Sequence, residues 1–193
     1  MQTVSVFCGS SFGTNSEYRS AATVLGREIA SRGMTLVYGG GHVGLMGAIA
    51  DAALAAGGKV IGVIPTDIAE HEVQHDTLTE LHVVDSMHER KMRMAKLSDG
   101  MIAMPGGLGT LEEIFEVWTW AQLGFHGKPC AMLNVAGYYD GLLAFLDRSV
   151  SEGFVKQVHR DMLYTGIEPA AMLDWMNEYQ PEPDHLWRDL DRS

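Results

Sequence analysis

Cysteine is nearly absent, basic residues are few, and no long apolar run occurs anywhere in the chain. Cys8 and Cys130 are the only cysteines in 193 residues. Each lies in or beside a strand-like run, so a disulfide framework is not expected and a reducing, cytoplasmic setting is. Lysine and arginine total 14 against 25 acidic residues, a formal net charge of −11. Such a surface argues against non-specific nucleic-acid binding, which draws on a basic face. Nothing approaches about 18 consecutive apolar residues, so no membrane span is expected. Met1 to Val6 lacks the charged start and apolar core of a signal peptide. Internal repeats, low-complexity tracts and linkers are missing too. What remains, 46% hydrophobic and 20% charged residues, suits one globular domain with a sizeable core. That domain is expected over 1–180, with 181–193 a loose, proline-bearing tail.

Strand and helix patterns alternate along the chain. Strands are expected at Thr3 to Phe7, Thr35 to Tyr38, Lys59 to Ile64, Glu80 to Val84, Met101 to Met104 and Pro129 to Asn134. Helices are expected at Asn15 to Ser31, Gly44 to Ala56, Ser86 to Asp99, the stretch ending near Leu123, Tyr138 to Glu152 and Glu168 to Glu178. Thr66 to Thr79 is polar and reads as a loop or lid. The order predicts an α/β fold: a Rossmann-like doubly wound, mostly parallel sheet flanked by helices. Ligands of such sheets sit at the carboxyl ends of the strands, where the turns at Cys8, Gly39 and Gly106 fall.

The most informative stretch is Pro105-Gly106-Gly107-Leu108-Gly109-Thr110-Leu111-Glu112-Glu113. A strand feeds a glycine-rich turn and then a helix N-terminus, whose free amides and dipole favour an anion. Thr110 fits as N-cap with Glu113 three residues later, which is the spacing of a capping box. Glu113 is therefore either a cap or an acid held beside a phosphate cradle. An acid there repels the ligand and gains sense only from chemistry.

Other motifs weigh less. Gly39-Gly40-Gly41-His42-Val43-Gly44 matches G-x-G-x-x-G, but it follows the second strand, and the acid wanted about 20 residues on is replaced by Lys59. A mononucleotide or phosphoribosyl role is favoured over a nicotinamide or flavin cofactor, and close helix–strand packing stays open. His71-Glu72-Val73-Gln74-His75 spells H-E-x-x-H, yet no apolar periodicity makes it a helix. No metal and no cofactor are expected. Glu72 remains a candidate loop carboxylate over the pocket. Arg90-Lys91-Met92-Arg93 concentrates positive charge in an acidic protein, as binding one anionic metabolite requires. Arg90 offers a planar fork for phosphate; surface pairing is the alternative for Lys91 and Arg93. Trp118 and Trp120 read as core or interface.

Phosphate-type turns, a guanidinium and carboxylates together suit cleavage of the N-glycosidic bond of a nucleoside 5′-monophosphate. A carboxylate can stabilise an oxocarbenium-like transition state and orient water, while the phosphate supplies positioning energy. The segments Tyr38-Gly39-Gly40-Gly41, Gly44-Leu45-Met46-Gly47, Met87-His88-Glu89-Arg90-Lys91, Pro105 to Glu113, and Trp120-Ala121-Gln122-Leu123-Gly124 resemble the Lonely Guy (LOG) family. Its members are cytokinin riboside 5′-monophosphate phosphoribohydrolases, often labelled lysine decarboxylases; no lysine here sits in a recognisable pyridoxal-phosphate setting. The resemblance runs from about Val4 to Gly153 and implies a homodimer with nucleotide pockets near the interface. It implies catalytic roles for Glu113 and Arg90. It also implies substrate binding by Glu72, Arg90, Lys91, Gly107, Leu108, Gly109, Thr110, Leu111, Glu112, Glu113 and Thr119. The alternative is a non-catalytic nucleotide-binding or carrier module of the same fold. The choice between an N6-isoprenoid base and plain adenine lies in pocket shape, which these motifs leave open.

Overall fold

Residues that are apolar at every position, rather than at alternate ones, belong to strands covered on both faces, and such strands pair in parallel. A computed structural model describes residues 1–69 and 75–181. Within them the chain runs β1 (Thr3–Phe7), α1 (Ser16–Ser31), β2 (Thr35–Tyr38), α2 (Gly44–Ala55), β3 (Lys59–Pro65), α3 (Thr66–Ala69), β4 (Glu80–Val84) and α4 (Met87–Leu97). It continues as β5 (Gly100–Ala103), α5 (Leu108–Gln122), β6 (Cys130–Leu133), α6 (Asp140–Ser151), α7 (Gln157–Asp161), β7 (Leu163–Gly166) and α8 (Pro169–Glu178). The strands form one sheet in the order β4-β3-β2-β1-β5-β6-β7, and every neighbouring pair is parallel. No helix among the described residues is long and apolar enough to cross a membrane.

Two cores fill the two faces. Leu25, Ile29, Leu45, Ile49 and Met172 pack α1, α2 and α8 on one side. Met94, Ile114, Val117, Trp118 and Leu146 pack α4, α5 and α6 on the other. The chain therefore winds outward from β1 to β4, returns to β5 beside β1, and winds out again to β7. The reversal opens a crevice between the turns after β1 and β5, the place where such folds bind ligands.

The expected strands and helices are present within one or two residues at most ends. The seventh strand, β7, was not anticipated from its Leu-Tyr-Thr-Gly sequence: it is an edge strand held by β6. The start of the expected loop at Thr66 is the short helix α3. Glu72 and His71 fall outside the described residues, as does the tail from 182 onward.

Candidate active site

Backbone hydrogen bonds stitch the crevice together. The Gly9 amide donates to Pro105 O at 3.0 Å, and the Leu45 amide donates to Gly9 O at 3.0 Å. Gly44 has φ of +59°, and a Cβ there would collide with the Ser10–Ser11 backbone, so only glycine lets α2 close on the first turn. Tyr138 and Tyr139 donate their hydroxyls to Gly106 O and Met104 O, each at 2.6 Å. These bonds tie down carbonyls of the β5–α5 turn. Sequence reasoning missed both clamps; their one signal is a Tyr-Tyr pair following a glycine at the carboxyl edge of β6. A cavity of about 310 Å³ opens over this seam, walled by Ser10, Phe12, Tyr18, Leu45, Gly107 and Tyr138.

The glycine motif departs from the capping-box reading. The N-cap of α5 is Gly107, and no side chain caps it. Leu108 and Gly109 are already helical, so Thr110 is the third residue of the helix. Its buried hydroxyl packs against Gly106, where a Cβ would strike Oγ1. The amides of Leu108, Gly109 and Thr110 consequently have no intrahelical acceptors and point out of the N-terminus. They form an anion seat at the crevice. Glu113 is the sixth helical residue and too far along to bond back to the N-cap. The capping role is excluded.

Glu113 instead faces inward and is only 7% exposed. Its ion pair among the described residues is with Arg90, Nη1 to Oε1 3.8 Å. Burial pushes the Glu113 carboxyl up to about 7; the nearby Glu112 and Glu116 add to the rise, while Arg90 and Lys91 oppose it. Arg90 is delivered by the first turn of α4, which is firmly started: Ser86 Oγ accepts from the Glu89 amide at 3.1 Å. The Glu89 carboxylate accepts from the Asp85 amide at 3.0 Å. The guanidinium lies across Gly39, where any Cβ would collide with Nη2. Arg90 Nε is buried with no hydrogen-bond partner among the described residues. The Cys8 thiol, beside the pair, is pushed well above its usual range, first by burial and then by the Glu113 charge, with Arg90 opposing. Cys8 is therefore a neutral packing group.

Glu113 and Arg90 do not border the 310 Å³ cavity. They stand on the α4–α5 side of the sheet edge and the cavity on the α1–α2 side, with Gly9 and Gly106 as the seam between. The glycine motif is common to both sides.

The remaining expected site residues divide. Gly107, Leu108 and Gly109 lie at the mouth, with the Leu108 side chain 86% exposed, and Leu111 is half-buried. Lys91 is turned away from the crevice. Its Nζ pairs with Glu112 Oε1 and with Glu116 Oε2, the latter at 2.9 Å. Burial lowers its pKa, but the two carboxylates outweigh this and hold it above the usual lysine value. That is the opposite of what a Schiff-base lysine needs. Thr119 is exposed, its hydroxyl donating to Phe115 O at 2.7 Å, on the same stripe of α5 as Glu112 and Glu116. It lies roughly 9 Å along the helix axis from Glu113, so one chain does not bring it to the crevice. Arg93 is exposed. His75 is buried and bonds Asp51, Nε2 to Oδ1 3.0 Å.

A family model described as "Possible lysine decarboxylase" matches residues 46–176. A probable cytokinin riboside 5′-monophosphate phosphoribohydrolase of Oryza sativa subsp. japonica is 51% identical over 178 residues, covering 92% of this chain and 78% of that protein. A cytokinin riboside 5′-monophosphate phosphoribohydrolase of Arabidopsis thaliana is 45% identical over 194 residues, covering 98% and 89%. Among solved structures, the molybdenum cofactor binding protein of Rippkaea orientalis superposes with a TM-score of 0.70 at 24% identity, covering 92% of this chain and 96% of that one. The molybdenum cofactor carrier protein of Chlamydomonas reinhardtii gives 0.70 at 21%, with the same coverage. Those two likenesses establish the fold alone. With the family model spanning most of the chain, and relatives of 45–51% identity matched over 92–98% of it, the chain belongs to the Lonely Guy family.

Proposed function

We propose that this protein hydrolyses the N-glycosidic bond of N6-modified adenosine 5′-monophosphates, releasing the free base and ribose 5-phosphate. The observation that carries the reading is the Glu113 carboxylate, buried 3.8 Å from Arg90 beside an uncapped helix N-terminus and without a capping role. The names of relatives at 45–51% identity support the same activity. The carrier alternative is less supported, because the carrier proteins resemble this chain in fold alone.

The 5′-phosphate sits on the free amides of Leu108, Gly109 and Thr110, and Arg90 offers its Nε–H to the anion or the ribose. As the C1′–N bond breaks, positive charge grows on the ribosyl ring and is stabilised by the Glu113 carboxylate. The same carboxylate orients water, whose oxygen bonds to C1′ while its proton passes by way of Glu113 to the departing base. A carboxyl poised near neutrality suits both taking and giving that proton. Lys91, neutralised by Glu112 and Glu116, fixes α4 against α5 and so sets the spacing of Arg90 and Glu113.

Thr119 fits the site only in a homodimer. Met92, Ala95, Trp120 and Phe125 line an open groove beside its stripe of α5, which a second copy would cover; light scattering of the purified protein tests this. Two buried free thiols suit a cytoplasmic setting. The activity is tested by incubating the pure protein with a panel of nucleoside 5′-monophosphates and separating released bases by chromatography. Absence of release from every member would overturn the reading.

A further inference from the structure

On the outer side of the β2 turn, away from Glu113, three side chains from separate segments meet. His42 follows β2, Asp51 lies on α2, and His75 precedes β4; their ligand atoms all lie within 4.8 Å of one another. His75 is buried, 4% exposed, with Nε2 3.0 Å from Asp51 Oδ1. The His42 ring meets it edge-on at 4.7 Å between centroids. The other ring nitrogen, Nδ1, accepts from the Thr77 amide at 3.4 Å and lies 3.5 Å from Thr77 Oγ1, and the His75 amide donates to Gly40 O at 3.4 Å.

We propose that His42, Asp51 and His75 form a binding site for one divalent first-row transition ion, zinc above all, that braces the turn carrying Gly39. Two imidazoles and one carboxylate are a zinc-type donor set, whereas magnesium or calcium would require oxygen ligands. Tetrahedral zinc separates its ligand atoms by about 3.4 Å. His42 is exposed and swings in by up to roughly 1.4 Å to reach that spacing, and water completes the shell. With a proton on Nε2, His75 donates to Asp51. Zinc takes the place of that proton on Nε2, and the ring takes one proton back from solvent on Nδ1, a tautomer shift with no net release, in which Thr77 Oγ1 accepts from Nδ1 and the long Thr77 amide contact is given up. Thr77 Oγ1 is the outer partner available to the tautomer that a ligating histidine needs. His42 and the Gly40 carbonyl flank the strand end on which Arg90 rests, so the ion stiffens the seat without touching substrate.

The test uses the full chain with any affinity tag removed, stripped by chelation, then titrated with zinc against a chromophoric chelator and with cobalt by visible absorption. One ion per chain is expected, with a four-coordinate cobalt spectrum and a melting-temperature rise of roughly 5–11 °C at a hundredfold excess over Kd. His42→Ala, an exposed change that leaves the fold intact, and Asp51→Asn should each weaken zinc at least about tenfold. Magnesium should not compete. Zinc binding as tight to His42→Ala as to the parent, no binding by the parent, or equal competition by magnesium would each overturn the assignment. All these readouts are independent of catalytic turnover.

Discussion

Replacing Glu113 by glutamine should make the protein more stable and far less active, with the stability gain depending on pH. The carboxyl has an ordinary value of 4.5 and a folded value of about 7. The folded state therefore holds a proton that the unfolded state has released across that interval. Stability is fully present below pH 4.5, falls as pH rises, and the loss is complete above about 7. A shift of about 2.5 units corresponds to roughly 3 kcal/mol. Glutamine copies the shape of the protonated acid and carries no charge to desolvate. Above pH 8 the variant should exceed the parent by roughly 3 kcal/mol, which for a chain of this size is roughly 6–12 °C in melting temperature. Near pH 4.5 the two should coincide. Turnover should fall about 100-fold or more, on the scale of acid–base and electrostatic contributions, and the parent's kcat/KM should rise with pH through about 7 as the carboxylate forms. Thermal melts by circular dichroism from pH 4.5 to 9, with initial rates on the best monophosphate, check both halves. Equal stability at every pH would refute the desolvation argument, and near-normal turnover would refute the chemical role.

Arg90→Lys should cost kcat/KM nearly as much as Arg90→Ala, because a single ammonium cannot replace the fork lying over Gly39; steady-state kinetics on both variants decide this. Gly39→Ala should lower kcat/KM about 10- to 100-fold by displacing the guanidinium, at an overpacking cost of about 1–3 kcal/mol. Combined with Arg90→Ala it should add little, and a double-mutant cycle reads that coupling. Lys91→Met should lower stability by about 1–3 kcal/mol through loss of the Glu112 and Glu116 pairs. A rise in KM for the monophosphate with stability unchanged would return Lys91 to direct substrate binding. Nucleoside 5′-monophosphates should be cleaved and the matching nucleosides hardly at all, since the helix N-terminus has nothing to hold without the phosphate; equal turnover of both would remove α5 from the mechanism.

The architecture was legible because its signals are local. Continuous apolar runs such as Met101-Ile102-Ala103-Met104 can only be buried strands, and alternation with amphipathic helices admits few topologies. β7 was not legible, because Leu163-Tyr164-Thr165-Gly166 has no pattern of its own and is made a strand by β6. The start of α5 was misplaced for a related reason. Spacing alone favours Thr110 over Gly107 as a cap, yet packing of the Thr110 hydroxyl under Gly106 draws the helix start back to Gly107.

That displacement changes what Glu113 is. At capping distance it would be a satisfied surface acid. At the sixth helical position it is a buried one, with a single guanidinium nearby and no hydrogen-bonded structural task among the described residues. Arg90 is matched in part: its Nη1 donates to the Met87 thioether at 3.7 Å, but its Nε is buried with no partner among the described residues. Neither group improves stability in that arrangement, because burying charge at 3.8 Å with no hydrogen bond between the two groups recovers less than desolvation costs. The sequence pattern named both residues, but their linkage through Gly39 depends on β2 lying beside β1, with α4 crossing back over the sheet after β4. Lys91, adjacent in sequence and equally cationic, was drawn the other way by Glu112 and Glu116. One residue of helical rotation, about 100°, separates a cation that waits for a ligand from one already paired, and a charge cluster read along the chain carries no record of that angle.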